Sequence, residues 1–258
     1  MSLIETKFVI ITGASKGLGS ELAINISKKG VFLLLIARDL NALEFVAEKC
    51  RQKGAIVETL IADLSLHNFS VLFSKKLMEV GPTKIDVAYL FNNASIIEPI
   101  KRLVNTDFNE QQNLINVNLV APIFLTSEFL RFIQKSNPKE SFIINVSSGV
   151  SLKPIEGWSL YCTSKAGINM LTASVAEETS MWVNKVYSVS INPGALNTNM
   201  QYTIRNSENE ESPISEKFRQ LYNDGSLRDP NFAANKILEI VKNKTFPNGE
   251  FIDFNLLY

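Results

Sequence analysis

Thr12-Gly-Ala-Ser-Lys-Gly-Leu-Gly19 continues directly from the apolar run Phe8–Thr12 and leads into a stretch of helical pattern, Leu18–Lys29. A strand, a glycine-rich turn and a helix N-terminus in that order make an anion cradle. The glycines let backbone approach the ligand closely, while free N–H groups and the helix dipole face its charge. The spacing is Thr-Gly-x-x-x-Gly-x-Gly rather than Gly-x-Gly-x-x-Gly, so its place between the first strand and its helix carries the reading. Gly13, Ser15, Lys16, Gly17, Leu18 and Gly19 are thus candidate contacts for a dinucleotide pyrophosphate.

Outward from this turn, short apolar runs alternate with longer amphipathic stretches. The runs are Phe8–Thr12, Val31–Ala37, Ile56–Ala62, Val87–Phe91, Ser141–Val146, Val186–Ile191 and Glu250–Phe254. Their length and their Val, Ile, Leu and Phe content suit buried strands. Helical patterns lie between them: Leu18–Lys29 before Gly30, Leu40–Lys53 before Gly54, Asn68–Val80 before Gly81, then Phe108–Gln134 and Ser159–Val183. A glycine just past a helix is an expected left-handed stop. This alternation predicts a single Rossmann-type, doubly wound α/β domain over residues 1–258, with a mostly parallel seven-stranded sheet. Residues 198–229 break the rhythm with the polar stretch Asn206-Ser-Glu-Asn-Glu-Glu211. An insertion following a strand's carboxyl end, where ligands collect, reads as a substrate lid.

Lys+Arg and Asp+Glu number 26 each, so the net charge is zero and the basic excess of a nucleic-acid binder is lacking. No run approaches the 18 or so apolar residues of a membrane span, and Met1 to Phe8 lacks a secretory pattern. Cys50 and Cys162 have no metal-ligand spacing, and the single His67 lies in a polar run, so no metal site is expected. Histidine-based hydrolysis is likewise disfavoured. A cytoplasmic location follows as an expectation.

Two further positions bear on chemistry. The second strand ends in Leu35-Ile-Ala-Arg-Asp39, with Ala37 where an NAD-specific site offers a carboxylate to the ribose. Arg38 and Lys16 are placed to clamp a 2′-phosphate, which makes NADP(H) the expected cofactor. Ser147-Ser148 closes the fifth strand, and Tyr161-Cys-Thr-Ser-Lys165 opens the next helix. Tyr and Lys four apart share a helix face. An adjacent ammonium lowers a phenol's pKa, so Tyr161 reads as a general acid/base tuned by Lys165. The Ser148 hydroxyl is placed to bond a substrate oxygen as charge develops.

These motifs together resemble the short-chain dehydrogenase/reductase family over nearly the whole chain. The matching pieces are Thr12–Gly19, Asp63-Leu64, Asn92-Asn-Ala94, Asn118, Ser148, Tyr161, Lys165 and Asn192-Pro-Gly194 with Thr198. The resemblance implies that Asp63 and Leu64 border the adenine and that Asn92 and Ala94 line the cofactor. It implies that Asn118 holds a water in a proton relay with Lys165, and that Pro193, Gly194, Leu196 and Thr198 meet the nicotinamide. Ser95 departs from the pattern, which continues with glycine; a slight perturbation of that loop is expected. The tail resembles the sepiapterin reductase branch in Gly157-Trp-Ser-Leu-Tyr-Cys162, Pro193–Gln201, Asp224–Pro230 and Thr245–Phe254. There a carboxylate matching Asp253 anchors a pterin, while diketone reductases of the benzil type share much of the same tail. The reading is an NADPH-dependent reductase of a ketone or α-dicarbonyl, with a pterin side-chain ketone first and benzil-type or xenobiotic carbonyls as the alternative. Trp158, Met200 and Gln201 are expected pocket walls. A non-catalytic NADPH-binding regulator is disfavoured by the complete reacting set. Family members pair through their long helices. The apolar side chains of Phe124, Leu125, Phe129, Leu130, Phe132 and Ile133 lead us to expect a homodimer, with a dimer of dimers as the alternative.

Overall fold

The computed structural model describes residues 5–82, 84–207 and 214–256. Seven strands form one sheet: β1 (Lys7–Thr12), β2 (Val31–Ala37), β3 (Ile56–Ile61), β4 (Val87–Asn92), β5 (Glu140–Val146), β6 (Lys185–Asn192) and β7 (Phe251–Asp253). Their order is β3-β2-β1-β4-β5-β6-β7. Every ladder is parallel. The expected architecture is therefore present. Winding reverses between β1 and β4, which opens a crevice beyond their carboxyl ends.

Alternating strand residues feed two cores. Val9, Ile11, Leu33, Leu35, Tyr89 and Phe91 pack toward helices α1 (Gly17–Ile26), α2 (Leu40–Gln52) and the last helix, Pro230–Asn243. Phe8, Ile10, Leu34, Ile36, Ala88 and Leu90 pack on the other face against α3 (Phe69–Val80) and the long helices that follow. Burial on both faces explains why these runs are continuously apolar instead of alternating. Across β4, β5 and β6, the registered residues Tyr89, Phe142 and Tyr187 stack with centroids 5.1 and 5.0 Å apart.

The expected helix Phe108–Gln134 is three pieces: α4 (Phe108–Ile115), a π-helical turn (Asn116–Val120) and α5 (Ala121–Ser136). Asp107 and Glu110 form a reciprocal capping box that starts α4. By composition, Phe108–Ser136 is apolar enough to cross a bilayer. Its Leu125, Phe129 and Ile133 lie in the sheet core instead. Helix α6 (Ser159–Glu178) ends five residues before the sequence-based limit, at Thr179, so that the chain turns into β6.

The left-handed glycine stops hold only in part. Gly54 has φ +89° directly after α2, whereas α1 ends at Ile26 and Gly30 serves the entry to β2. Gly81 has φ −60°; its lack of a side chain makes room for Phe132, which a Cβ would meet at 2.6 Å. Residues 199–207 and 214–229 of the inserted segment contain α7 (Asn199–Arg205), α8 (Ile214–Asn223) and the lead into α9 (Pro230–Asn243). Residues 208–213, which include most of its polar stretch, lie outside the described residues.

The apolar surplus expected on α5 is used within the chain. Leu125, Phe129 and Ile133 are buried, and Phe124, Leu130 and Phe132 pack partly buried beside them. Phe124 meets Phe69 and Phe73 edge-on, and Phe132 meets Phe8 at 5.3 Å. Exposed apolar residues nearby include Val120 of the π turn, Ile123 of α5 and Met170 of α6.

Candidate active site

A cleft of about 920 Å³ runs along the carboxyl ends of the strands. One end is the glycine turn. Gly13 has φ +65°, and a Cβ there would come within 2.9 Å of Asn93 Nδ2. A Cβ on Gly19 would fall 2.3 Å from the Gly13 carbonyl oxygen. Gly19 therefore lets α1 close on its own turn and does not line the cleft; Gly13, Ser15, Lys16, Gly17 and Leu18 do line it. Buried Thr12 ties the turn to β4, its Oγ1 accepting from Asn93 N–H and Ala94 N–H at 3.0 Å each. Asn93 Nδ2 donates to the Thr12 carbonyl at 2.8 Å.

Arg38, Asp63, Leu64 and Ala94 line the same cleft. Arg38 is exposed and lies 3.6 Å from Asp63 Oδ2. Partial burial works to raise the Asp63 pKa, but bonds from Ser65 and the Arg38 charge outweigh it and hold the carboxyl below its usual range.

Asn92 differs from expectation. Its side chain is buried and donates to Thr126 Oγ1 at 3.1 Å and Asn145 Oδ1 at 2.8 Å. β4 ends at Asn92 still inside the sheet, so period-two alternation turns this side chain into the core and leaves Asn93 at the cleft. Asn118 also stands outside the cleft lining. Buried in the π turn, it bonds both the N–H and the carbonyl of Ile96, at 2.9 and 2.8 Å, and so fixes the loop after β4.

At the far end, Ser148, Tyr161 and Lys165 converge on the cleft. Ser148 caps a short 3-10 turn, Gly149–Ser151, accepting from Val150 N–H at 3.4 Å. That turn is bound to α6: Asn169 Nδ2 donates to Ser151 Oγ at 2.8 Å, and Ser147 Oγ donates to Asn169 Oδ1 at 2.7 Å. Sequence reasoning did not single out Asn169, which lies one turn beyond Lys165 and braces the serine strand-end against the tyrosine helix.

Tyr161 and Lys165 are 7% and 3% exposed. Lys165 Nζ donates to the Val146 carbonyl at 2.8 Å and lies 5.5 Å from the Tyr161 ring centre. Burial pushes the phenol up to about 12, opposed by the hydroxyls of Ser95 and Ser148. The same burial takes Lys165 down to about 7. Among the chain's own groups, then, the two hydroxyls act to lower the phenol, and desolvation outweighs them.

The remaining wall is formed by Pro193, Gly194, Leu196, Thr198, Met200, Gln201, Trp158 and Asp253. Arg228 Nη1 donates to the Pro193 carbonyl at 3.2 Å and supports that loop. Trp158 meets Tyr161 edge-on at 5.7 Å and stacks on Phe218 of α8 at 5.8 Å. Asp253 sits in register with Asn192; its Oδ1 accepts from Asn192 Nδ2 and Asn255 N–H at 2.8 and 2.9 Å. The glycine cradle, the cations at one end and the Tyr–Lys pair at the other fit a dinucleotide laid along the crevice.

The comparisons agree with this geometry. The family model described as short chain dehydrogenase matches residues 7–209. Benzil reductase ((S)-benzoin forming) of Bacillus cereus is 32% identical over 250 residues, covering 95% of this chain and 98% of that one. Sepiapterin reductase of Rattus norvegicus is 31% identical over 254 residues, covering 95% of each. Among solved structures, the KRED1-Pglu enzyme matches with a TM-score of 0.80 and 26% identity, covering 95% of this chain and 100% of that one. A short-chain dehydrogenase from Sphingobium yanoikuyae in complex with NADPH matches with a TM-score of 0.75 and 25% identity, covering 95% and 86%. The chain belongs to the short-chain dehydrogenase/reductase family, whose members are nicotinamide-dependent oxidoreductases.

Proposed function

We propose that the protein is an NADPH-dependent carbonyl reductase acting on a ketone or α-dicarbonyl. The observation that carries this reading is the meeting of Ser148, Tyr161 and Lys165 at one end of a cleft whose other end is a phosphate cradle. Gly13, Ser15, Lys16, Gly17 and Leu18 would hold the pyrophosphate of a bound dinucleotide, and Lys165 would bind its ribose. A bound reduced nicotinamide supplies the hydride. Tyr161 Oη then gives its proton to the substrate oxygen, which Ser148 orients, and burial keeps water from competing. Arg38 and Lys16, with Ala37 in place of an acid, support NADPH over NADH.

For the substrate, the reading places a pterin side-chain ketone first. Asp253 lines the cleft with Oδ1 taken up by Asn192 and Asn255, and a carboxylate has a second oxygen that suits an N–H donor of an amino-pyrimidine. Two buried polar atoms of the cleft walls, Trp158 Nε1 and Gln201 Oε1, lack protein partners and suit a polar substrate. An aromatic diketone is the second reading, supported by the apolar wall of Trp158, Met200, Ile204 and Phe218. We further propose that α7 and α8 form a lid, and that the chain acts as a homodimer in the cytoplasm, where free Cys50 and Cys162 would stay reduced. Following NADPH oxidation with sepiapterin and with benzil tests the reading: turnover of neither would refute it.

A further inference from the structure

The loop after β4 brings a hydroxyl to the proton donor that the reaction scheme has not used. Residue 95 is held in place from both sides. Thr12 fixes Asn93 and Ala94, and Asn118 fixes both backbone polar groups of Ile96. Among the described residues only Asn137 and Lys244 combine a side chain with a positive φ, so Ser95 sits here without backbone strain.

Ser95 Oγ is nonetheless buried with no hydrogen-bond partner of ordinary geometry. A buried, unpaired hydroxyl is costly and rare, and one on a cleft wall calls for a ligand or a functional state that completes it. Tyr161 lines the same wall, and its phenol feels the Ser95 hydroxyl even though the formed bond is lacking.

Resting on the reading of Tyr161 as proton donor, we propose that Ser95 is a positioning residue whose hydroxyl donates to Tyr161 Oη once the proton has left. When the substrate carbonyl carbon gains hydride, the O–H bond of Tyr161 breaks and a new O–H bond forms on the substrate oxygen. The electron pair stays on Oη as a phenolate. Ser148 is turned toward the substrate oxygen at that moment, so a second donor is needed on the phenolate. The other titratable groups around the ring are Lys165, 5.5 Å from its centre and bonded to the Val146 carbonyl, and Cys162 on the same helix. Neither brings a donor onto Oη. Ser95, on the β4 loop, is the group placed to do so.

The test is Ser95→Ala, with Ser95→Gly as a second hydroxyl-free variant and Ser95→Thr restoring the hydroxyl. Tyr161 is followed by the 13Cζ resonance of labelled tyrosine, assigned with Tyr161→Phe, with and without oxidised cofactor. In parallel, the pH dependence of alcohol oxidation is measured, since that direction requires the phenolate. The Ala and Gly variants should both raise the Tyr161 midpoint by about one to two pH units, the size expected for losing one hydrogen bond to a charged group. The rise in oxidation rate should move with it, and Thr should return both toward wild type. Midpoints equal to wild type in Ala and Gly would overturn the role of Ser95. Full turnover in Tyr161→Phe would instead overturn the parent reading, so the two failures are distinct.

Discussion

Phe218 lies parallel to Trp158, its ring 5.8 Å away and inclined by 2°, so that α8 rests directly on the tryptophan that meets Tyr161 edge-on. An aromatic pair of this kind adds about 0.5–1.5 kcal/mol beyond its buried area. Replacing Phe218 with Ala should therefore loosen the segment against the cleft and raise KM about two- to tenfold. The kcat should change less, because Ser148, Tyr161 and Lys165 are untouched. Steady-state kinetics separates the two parameters, and an unchanged KM would remove α8 from the substrate site.

Lys165 gives the fold a pH dependence of defined sign. Its pKa in the fold, about 7, lies below that of a free lysine, so the folded chain carries fewer protons between the two values. Stability should rise with pH from about 7 to about 10.4, the range between the folded and free pKa values. Tyr161, held near 12, acts oppositely and erodes stability as pH rises above 10, the value of an unperturbed phenol. Lys165→Met should abolish turnover yet gain on the order of 1–3 kcal/mol at neutral pH, since burying a charge is costly. Thermal melts from pH 6 to 11 check these statements.

Arg38 is 65% exposed and shares its charge with Asp63 at 3.6 Å, so its hold on a 2′-phosphate belongs at the weak end for charge-assisted bonds. Arg38→Ala should weaken NADPH binding about tenfold and leave NADH binding within about twofold. Titration calorimetry at two salt concentrations measures it. Equal losses for both cofactors would take Arg38 out of the phosphate site.

Asn93 should behave differently, because it holds the glycine turn and not the phosphate that distinguishes the cofactors. Asn93→Ala removes the bonds to the Thr12 and Gly13 carbonyls. Affinity for NADPH and NADH should fall together, by about five- to thirtyfold for a loss of about 1–2 kcal/mol.

Asp253→Ala separates the two substrate readings. Loss of sepiapterin turnover with benzil turnover retained supports the pterin reading, and equal retention of both sets it aside. The variant also strips Asn192 of its partner at 2.8 Å, so cofactor affinity should be measured alongside.

The sequence carried most of this molecule because its signals are local. Continuous Val, Ile, Leu and Phe runs are what a doubly covered parallel strand demands, and the glycine turn must follow the first of them. Where the structure differed from the reading, the deciding fact was three-dimensional. Asn92 and Asn93 are adjacent in sequence but face opposite sides, and only the point where β4 ends tells which meets the cleft. Gly19 and Gly81 look like ligand and stop-signal glycines, but Gly19 makes room for the Gly13 carbonyl and Asn93, and Gly81 for Phe132. The brace through Asn169, the clamp of Asn118 on Ile96 and the stacking of Phe218 on Trp158 join distant segments and leave no periodicity to read. The pKa values of Tyr161 and Lys165 depend on burial, which four-residue spacing does not encode.

The central claim is that Tyr161 supplies the proton in a nicotinamide-dependent carbonyl reduction, and Tyr161→Phe tests it most directly. NADPH affinity, measured by titration calorimetry, should stay within about twofold of wild type, since the ring and its contacts remain. Turnover of the better substrate, followed by NADPH oxidation, should fall by about 10²–10⁴-fold, the usual contribution of a positioned general acid. Intact binding with turnover at the wild-type rate would contradict the account.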